Sequence, residues 1–221
     1  MLLVLSVITS AHKRRVKTAF TIIFAVLIIM FQKIKAYYKK LVPAITDNEL
    51  TALAECLTIR EIGKGGFLIR QGQVCNHVTF INEGLLRIFY TVDGKDVAIG
   101  FVGEKEYISE YESFLTRKPA TQNIDVLVDA VLVDLSYNDM QRLYKTYPSI
   151  QEFGRKIAEQ LFIMLNQRST SLLILSPEER YRYMIEKNAT LLQQVPQYML
   201  ASFIGVTPEH LSRIRKKMMT S

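Results

Sequence analysis

Residues 196–217 read PQYMLASFIGVTPEHLSRIRKK, and this stretch decides the architecture. It predicts a helix, a tight turn at Gly205 and a second helix with its own start signal. Thr207 is an N-cap residue type, and Pro208 suits the first helical position, where its missing N–H leaves nothing unsatisfied. Leu211, Ile214 and Met218 follow at i, i+3 and i+7, the spacing of a buried stripe. Glu209, Ser212, Arg213 and Lys216 fall on the opposite face. Ahead of the turn, Met199, Leu200, Phe203 and Ile204 supply the apolar surface of a helix-turn-helix pair. A short helix that shows Glu, Ser, Arg and Lys beside a basic tail fits a DNA major groove. The competing reading is an amphipathic terminal helix whose charged face only meets water. The Gly turn and the Thr-Pro start weigh against it.

Upstream, Ser176-Pro177-Glu178-Glu179 restarts a helix with Ser176 as cap and marks a domain boundary. A long helix precedes it, from Pro148. Ile150, Ile157 and Met164 are seven apart, with Phe153, Leu161 and Leu165 beside them, and the run Leu172–Leu175 closes it. Seven-residue spacing suggests a seam against another helix, so Ile150, Phe153, Ile157, Leu161 and Met164 are the candidate dimer residues. Packing on the chain's own domain is the alternative.

Between Thr58 and Ser136 the pattern changes to short alternating runs separated by turn residues. Candidate strands are Thr58–Ile62, Phe67–Arg70, His77–Asn82, Gly84–Tyr90, Asp96–Phe101, Asn123–Val128 and Val131–Leu135. Many short strands at regular spacing predict a β-roll of the jelly-roll or double-stranded β-helix kind. Tyr137 to Tyr147 reads as a helix. The expected fold class is therefore α+β: a β-roll over residues 30–147, a long helix over 148–175 and an all-α helix-turn-helix domain over 176–221.

Charge follows this division. The chain has 221 residues, 49% hydrophobic, and a net charge of +7. Residues 1–40 carry eight bases and no acid, residues 41–175 are net −4, and residues 176–221 are net +3. A mildly acidic middle and a basic end suit a sensor joined to a nucleic-acid reader. Residues 1–29 form an apolar and basic extension, with AFTIIFAVLIIMF at 19–31. That run is shorter than the roughly 20 residues of a spanning helix. Three readings stand: a membrane tether, a buried helix, or codons upstream of a true start at Met30. The third is preferred, because residues 30–45 open as an ordinary amphipathic helix with Phe31, Ile34, Tyr37, Tyr38 and Leu41 on one side.

Enzyme chemistry finds no support. The two cysteines, Cys56 and Cys75, are too few for a disulfide scaffold or a four-thiolate cluster. His12, His77 and His210 include no pair at metal-ligand spacing. Gly63-Lys64-Gly65-Gly66 lacks the spacing of a phosphate loop and reads as a β-turn. No metal and no cofactor is expected.

The order of roll, long helix and helix-turn-helix resembles the Crp/Fnr family of bacterial transcription regulators, in particular its short Bacteroidetes members. Residues 65–78 (GGFLIRQGQVCNHV), 108–116 (ISEYESFLT) and 196–217 carry the resemblance. It implies a cyclic-nucleotide-binding-like roll, a cytoplasmic homodimer and double-stranded DNA as partner, with RNA polymerase as a further partner. Carried over, Glu209, Ser212 and Arg213 match base-facing positions of the recognition helix. Thr207 matches the cap beside a phosphate, and Arg215, Lys216 and Lys217 would be phosphate or solvent contacts. In the effector pocket, Ser109-Glu110 stands where cyclic-nucleotide binders place Gly-Glu. Ala120-Thr121 stands where they place Arg followed by Ser or Thr. The missing arginine disfavours cyclic AMP, since a buried phosphate needs a cation or several N–H donors. The effector is left unassigned. Two other functions fit the same residues: a small-molecule sensor with vestigial DNA binding, and a membrane-tethered regulator.

Overall fold

A computed structural model describes residues 31–188 and 190–219. The extension at residues 1–29, with its three readings, lies outside the described residues. Helix α1 covers 31–41, and α2 covers Asp47–Ala54. Thr46 starts α2 with a capping box: its hydroxyl accepts from the Glu49 N–H, and Glu49 accepts from the Thr46 N–H at 2.7 Å. The roll follows as β1 (Leu57–Ile62), β2 (Phe67–Ile69), β3 (His77–Val92), β4 (Lys95–Val102), β5 (Tyr107–Ile108), α3 (Tyr111–Thr116) and β6 (Asn123–Ser136). Then come α4 (Tyr137–Thr146), α5 (Pro148–Ile174), α6 (Pro177–Lys187), α7 (Leu191–Gln194), α8 (Gln197–Ile204) and α9 (Pro208–Met219).

All strand pairings are antiparallel, in the order β1-β6-β3-β4, with β2 added to β6 and β5 to β3. Four of the expected strands merge into two long ones. His77–Asn82 and Gly84–Tyr90 are halves of β3; Asn123–Val128 and Val131–Leu135 are halves of β6. The turn residues between the halves make bulges instead of ends. The β3–β6 register shifts at Glu83 and Leu85, where Gly84 has φ +109°. A Cβ there would sit 2.8 Å from the Cα of Ala130, so the two bulges press backbone on backbone.

The core of the roll is closed by helices. Ile34 and Tyr38 of α1 are buried, as the amphipathic reading requires, with Phe31, Tyr37 and Leu41 packed beside them. The Tyr38 ring stacks on Phe153 of α5 at 3.5 Å between centroids. Tyr37 and Tyr107 meet the Phe153 ring edge-on, and Phe80 packs edge-on against Tyr107. A second apolar cluster builds the C-terminal unit from Tyr181, Met184, Leu200, Ile204, Leu211 and Ile214.

This packing corrects the first half of the expected dimer stripe, Ile150, Phe153 and Ile157. Ile150 and Phe153 are 1% and 4% exposed inside the roll's own core, and Ile157 packs against it. A side chain already enclosed by its own chain cannot line a seam with another. Leu161 and Met164 continue the same stripe toward the C-terminal unit, where Met164 lines a concavity with α6 and α8. The outward face of α5 is a different set. Phe162 is 72% exposed and Leu165 55%, and Phe162 shares a groove with Arg155, Ala158, Glu159 and Ile163.

Candidate nucleic-acid interface and effector site

The end of the chain folds as its local signals dictate. Gly205 closes α8 in the left-handed region at φ +82°, which a Cβ would penalise. Thr207 then caps α9: its hydroxyl accepts from the His210 N–H at 3.3 Å, and its carbonyl from the Leu211 N–H at 3.0 Å. Leu211 and Ile214 are buried against α8, and Met218 packs beside them. Consequently Glu209, Ser212, Arg213 and Lys216 stand on the solvent face of α9. Hydrogen bonds from its own backbone N–H and the Thr207 hydroxyl, and then the charge of Arg213, hold the Glu209 carboxyl below its usual range. The face thus offers an ionised acceptor and a guanidinium donor fork within one helical turn. Arg215 is half-buried. Lys217 contacts both carboxylate oxygens of Glu178 on α6, at 2.9 and 3.0 Å, so its charge braces α9 against α6.

In the roll, the structure brings Glu110 and Thr121 together. Glu110 is buried and caps α3, accepting from the Ser113 N–H at 2.7 Å; the Thr121 hydroxyl lies 3.5 Å from its other oxygen. Ser109 turns away and donates to the His77 carbonyl at 3.0 Å. Ala120 is 3% exposed, with both backbone groups taken: its N–H donates to Gln73 and its carbonyl accepts from Gly72. Arg117 donates to the carbonyls of Cys75 and Phe114 at 2.7 and 3.2 Å and lies over the Tyr137 ring. A cavity of about 480 Å³ walled by Arg60, Phe67, Gln73, Cys75 and Thr79 includes neither Glu110 nor Thr121.

Two features were missed in the sequence. First, α8 docks on β4, the edge of the sheet. Ser202 accepts from the Ala98 N–H at 3.0 Å and donates to the Asp96 carbonyl at 3.3 Å, satisfying groups that an edge strand leaves open. Phe203 meets Phe101, and Leu85 and Leu127 of the roll join the C-terminal apolar cluster. Asp96 is itself held by Arg87, which is paired with Asp125 at 2.7 Å. Second, Arg168 of α5 reaches the Phe203 carbonyl, and Arg180 of α6 donates to the Ile204 carbonyl at 2.8 Å. Arg168 falls on the inward stripe after Ile157, Leu161 and Met164, a base where an apolar residue was due. That was the available signal.

Residues 59–147 match the model of the cyclic nucleotide-binding domain family. The described chain further shares its fold with regulators of the Crp/Fnr type. The c-di-GMP responsive global regulator CLP of Xanthomonas campestris superposes with a TM-score of 0.63 at 18% identity, covering 79% of this chain and 92% of that one. A protein of the Crp/Fnr family from Eubacterium rectale gives 0.64 at 12% identity, covering 83% and 88%. The catabolite activator protein of Thermus thermophilus gives 0.52 at 20% identity, covering 81% and 86%. At these identities the likeness is one of fold. No curated protein sequence matches the chain. Among the described residues, no helix is long and apolar enough to cross a membrane.

Proposed function

We propose that the protein is a homodimeric DNA-binding transcription regulator that reads a palindromic operator with α9. The observation that carries this reading is the outer face of α9. Glu209, Ser212 and Arg213 are exposed together, while Leu211 and Ile214 anchor the helix to α8. Arg213 would read guanine through its O6 and N7, and Glu209 would accept from a cytosine amino group. Thr207, Arg215 and Lys216 would meet phosphates, adding affinity and salt dependence without sequence information. Lys217, engaged with Glu178, would support the helix more than the backbone contact. Dimerisation would run through the outward face of α5, placing two α9 helices on half-sites about one DNA turn apart.

The roll would work without cyclic AMP. The arginine position is a buried methyl group, and Arg117 has both terminal nitrogens engaged, one on the Cys75 and Phe114 carbonyls and the other on the Asn76 side chain. An effector of other chemistry in the roll stays compatible with Glu110 and Thr121.

Selection of DNA from a random pool by the purified protein, with and without cyclic AMP, tests the reading. A palindromic motif recovered equally in both is the expected result. Recovery only with the nucleotide would refute the argument from Ala120, and no motif under either condition would refute DNA reading. Arg213→Ala is expected to weaken operator binding by about 1–3 kcal/mol and to relax preference at one base position. Unchanged affinity and preference in a mobility-shift series would remove Arg213 from the base-reading set.

A further inference from the structure

The hinge between the long helix and the C-terminal unit encloses a concavity of about 190 Å³, walled by α5, α6, α7 and α8. Three cations border it: Arg168, Arg180 and Lys187. Each has found a neutral partner. Arg168 lies 4.0 Å over the Phe203 ring and donates to the Phe203 carbonyl. Arg180 donates to the carbonyls of Ile204 and Leu175. Lys187 stands 5.6 Å over the Tyr183 ring. Among the described residues, no carboxylate forms an ion pair with any of the three. Burial, with Arg180 adding repulsion, brings the Arg168 guanidinium down to about 10. Like charges gathered on a partly desolvated wall with no counter-ion are unfavourable unless something else supplies the negative charge.

We propose that this hinge concavity binds a small organic anion, a carboxylate on a compact aromatic or branched aliphatic body, with Arg168, Arg180 and Lys187 around the carboxylate. The cations define the sign of the ligand. The apolar wall of Met184, Leu191 and Phe203 defines its body, which a bare inorganic ion would leave uncovered. The volume sets its size, since about 190 Å³ holds a single ring and excludes a nucleotide. The site is separate from Glu110 and Thr121, and it lies on the inward stripe of α5, away from Phe162 and Leu165. A ligand there bridges α5, α6 and α8, and so fixes the angle at which α9 is presented.

Calorimetric titration of the full chain with benzoate and with phenylacetate tests the site, with benzamide as the neutral analogue and inorganic phosphate as the bare anion. Saturable binding of a carboxylate is expected, with benzamide and phosphate at least about tenfold weaker. Arg168→Gln should weaken the carboxylate about tenfold or more, as loss of a charge-assisted contact does. Lys187→Gln, a change at an exposed residue, should weaken it with the melting temperature unchanged, which keeps the test decisive should Arg168→Gln fold poorly. Thr121→Val should leave it unaltered. Absence of saturable binding, equal affinity for benzamide or phosphate, parent affinity in folded Lys187→Gln, or loss in Thr121→Val would each overturn the assignment. None of these readouts involves DNA, so the result is independent of whether α9 reads an operator.

Discussion

Phe153→Ala is expected to destabilise the folded protein by about 3–5 kcal/mol, the range for emptying a buried aromatic site. The side chain is 4% exposed, stacks on Tyr38 and is met edge-on by Tyr37 and Tyr107. Truncation therefore removes ring burial and several aromatic contacts together, and leaves a cavity whose walls are held by α1, β5 and α5. Urea denaturation followed by far-ultraviolet circular dichroism gives the number directly. The companion measurement is the dissociation constant of the proposed dimer, expected to stay within about twofold of the parent under conditions where the variant is folded. The opposite pattern, intact stability with weakened association, would return Phe153 to the seam that the seven-residue spacing suggested.

That spacing shows where a sequence stops being legible. A period of seven reports that one face of a helix is covered, and says nothing of what covers it. Helix α5 carries two apolar faces. The inward one, Ile150-Phe153-Ile157, has the more regular pattern because a roll core demands it. The outward one is interrupted by Arg155 and Glu159, and so reads as ordinary surface. Only the placement of α1 and β5 against the first half of α5 separates them. The helix-turn-helix was legible for the converse reason: a cap at Thr207, a left-handed Gly205 and a buried Leu211 and Ile214 are all decided within about ten residues. Gly84 and Asp129-Ala130 misled because a bulge and a turn ask for the same residue types. The distinction lies in a strand partner some 45 positions away, across the β3–β6 register. Glu110 and Thr121 could be paired in advance through a resemblance. The hinge cations could not, because Arg168, Arg180 and Lys187 meet only once α5 and α6 are folded together.

The outward face of α5 carries the second large effect. Phe162 is 72% exposed, and Ile163 at 54% and Leu165 at 55% stand beside it. Large apolar side chains exposed together on one helix mark an interaction surface. Ala158, Phe162 and Leu165 recur at the four-then-three spacing of a two-helix seam, with the small Ala158 leaving room for a facing ring. In a two-fold dimer a single substitution enters the interface twice. Phe162→Asp therefore removes two aromatic anchors and asks two carboxylates to share a desolvated centre, an arrangement that costs several kcal/mol per charge. Sedimentation velocity is expected to show monomer at concentrations where the parent sediments as dimer, with the folded core retained, since Phe162 contributes little to it. Operator affinity should fall by at least about a hundredfold, because a second half-site no longer sits at high effective concentration. Non-specific DNA binding by one α9 helix should remain. A Phe162→Asp protein that still sediments as dimer would place the two-fold axis elsewhere, and one that is monomeric yet binds the operator with parent affinity would refute paired reading by α9.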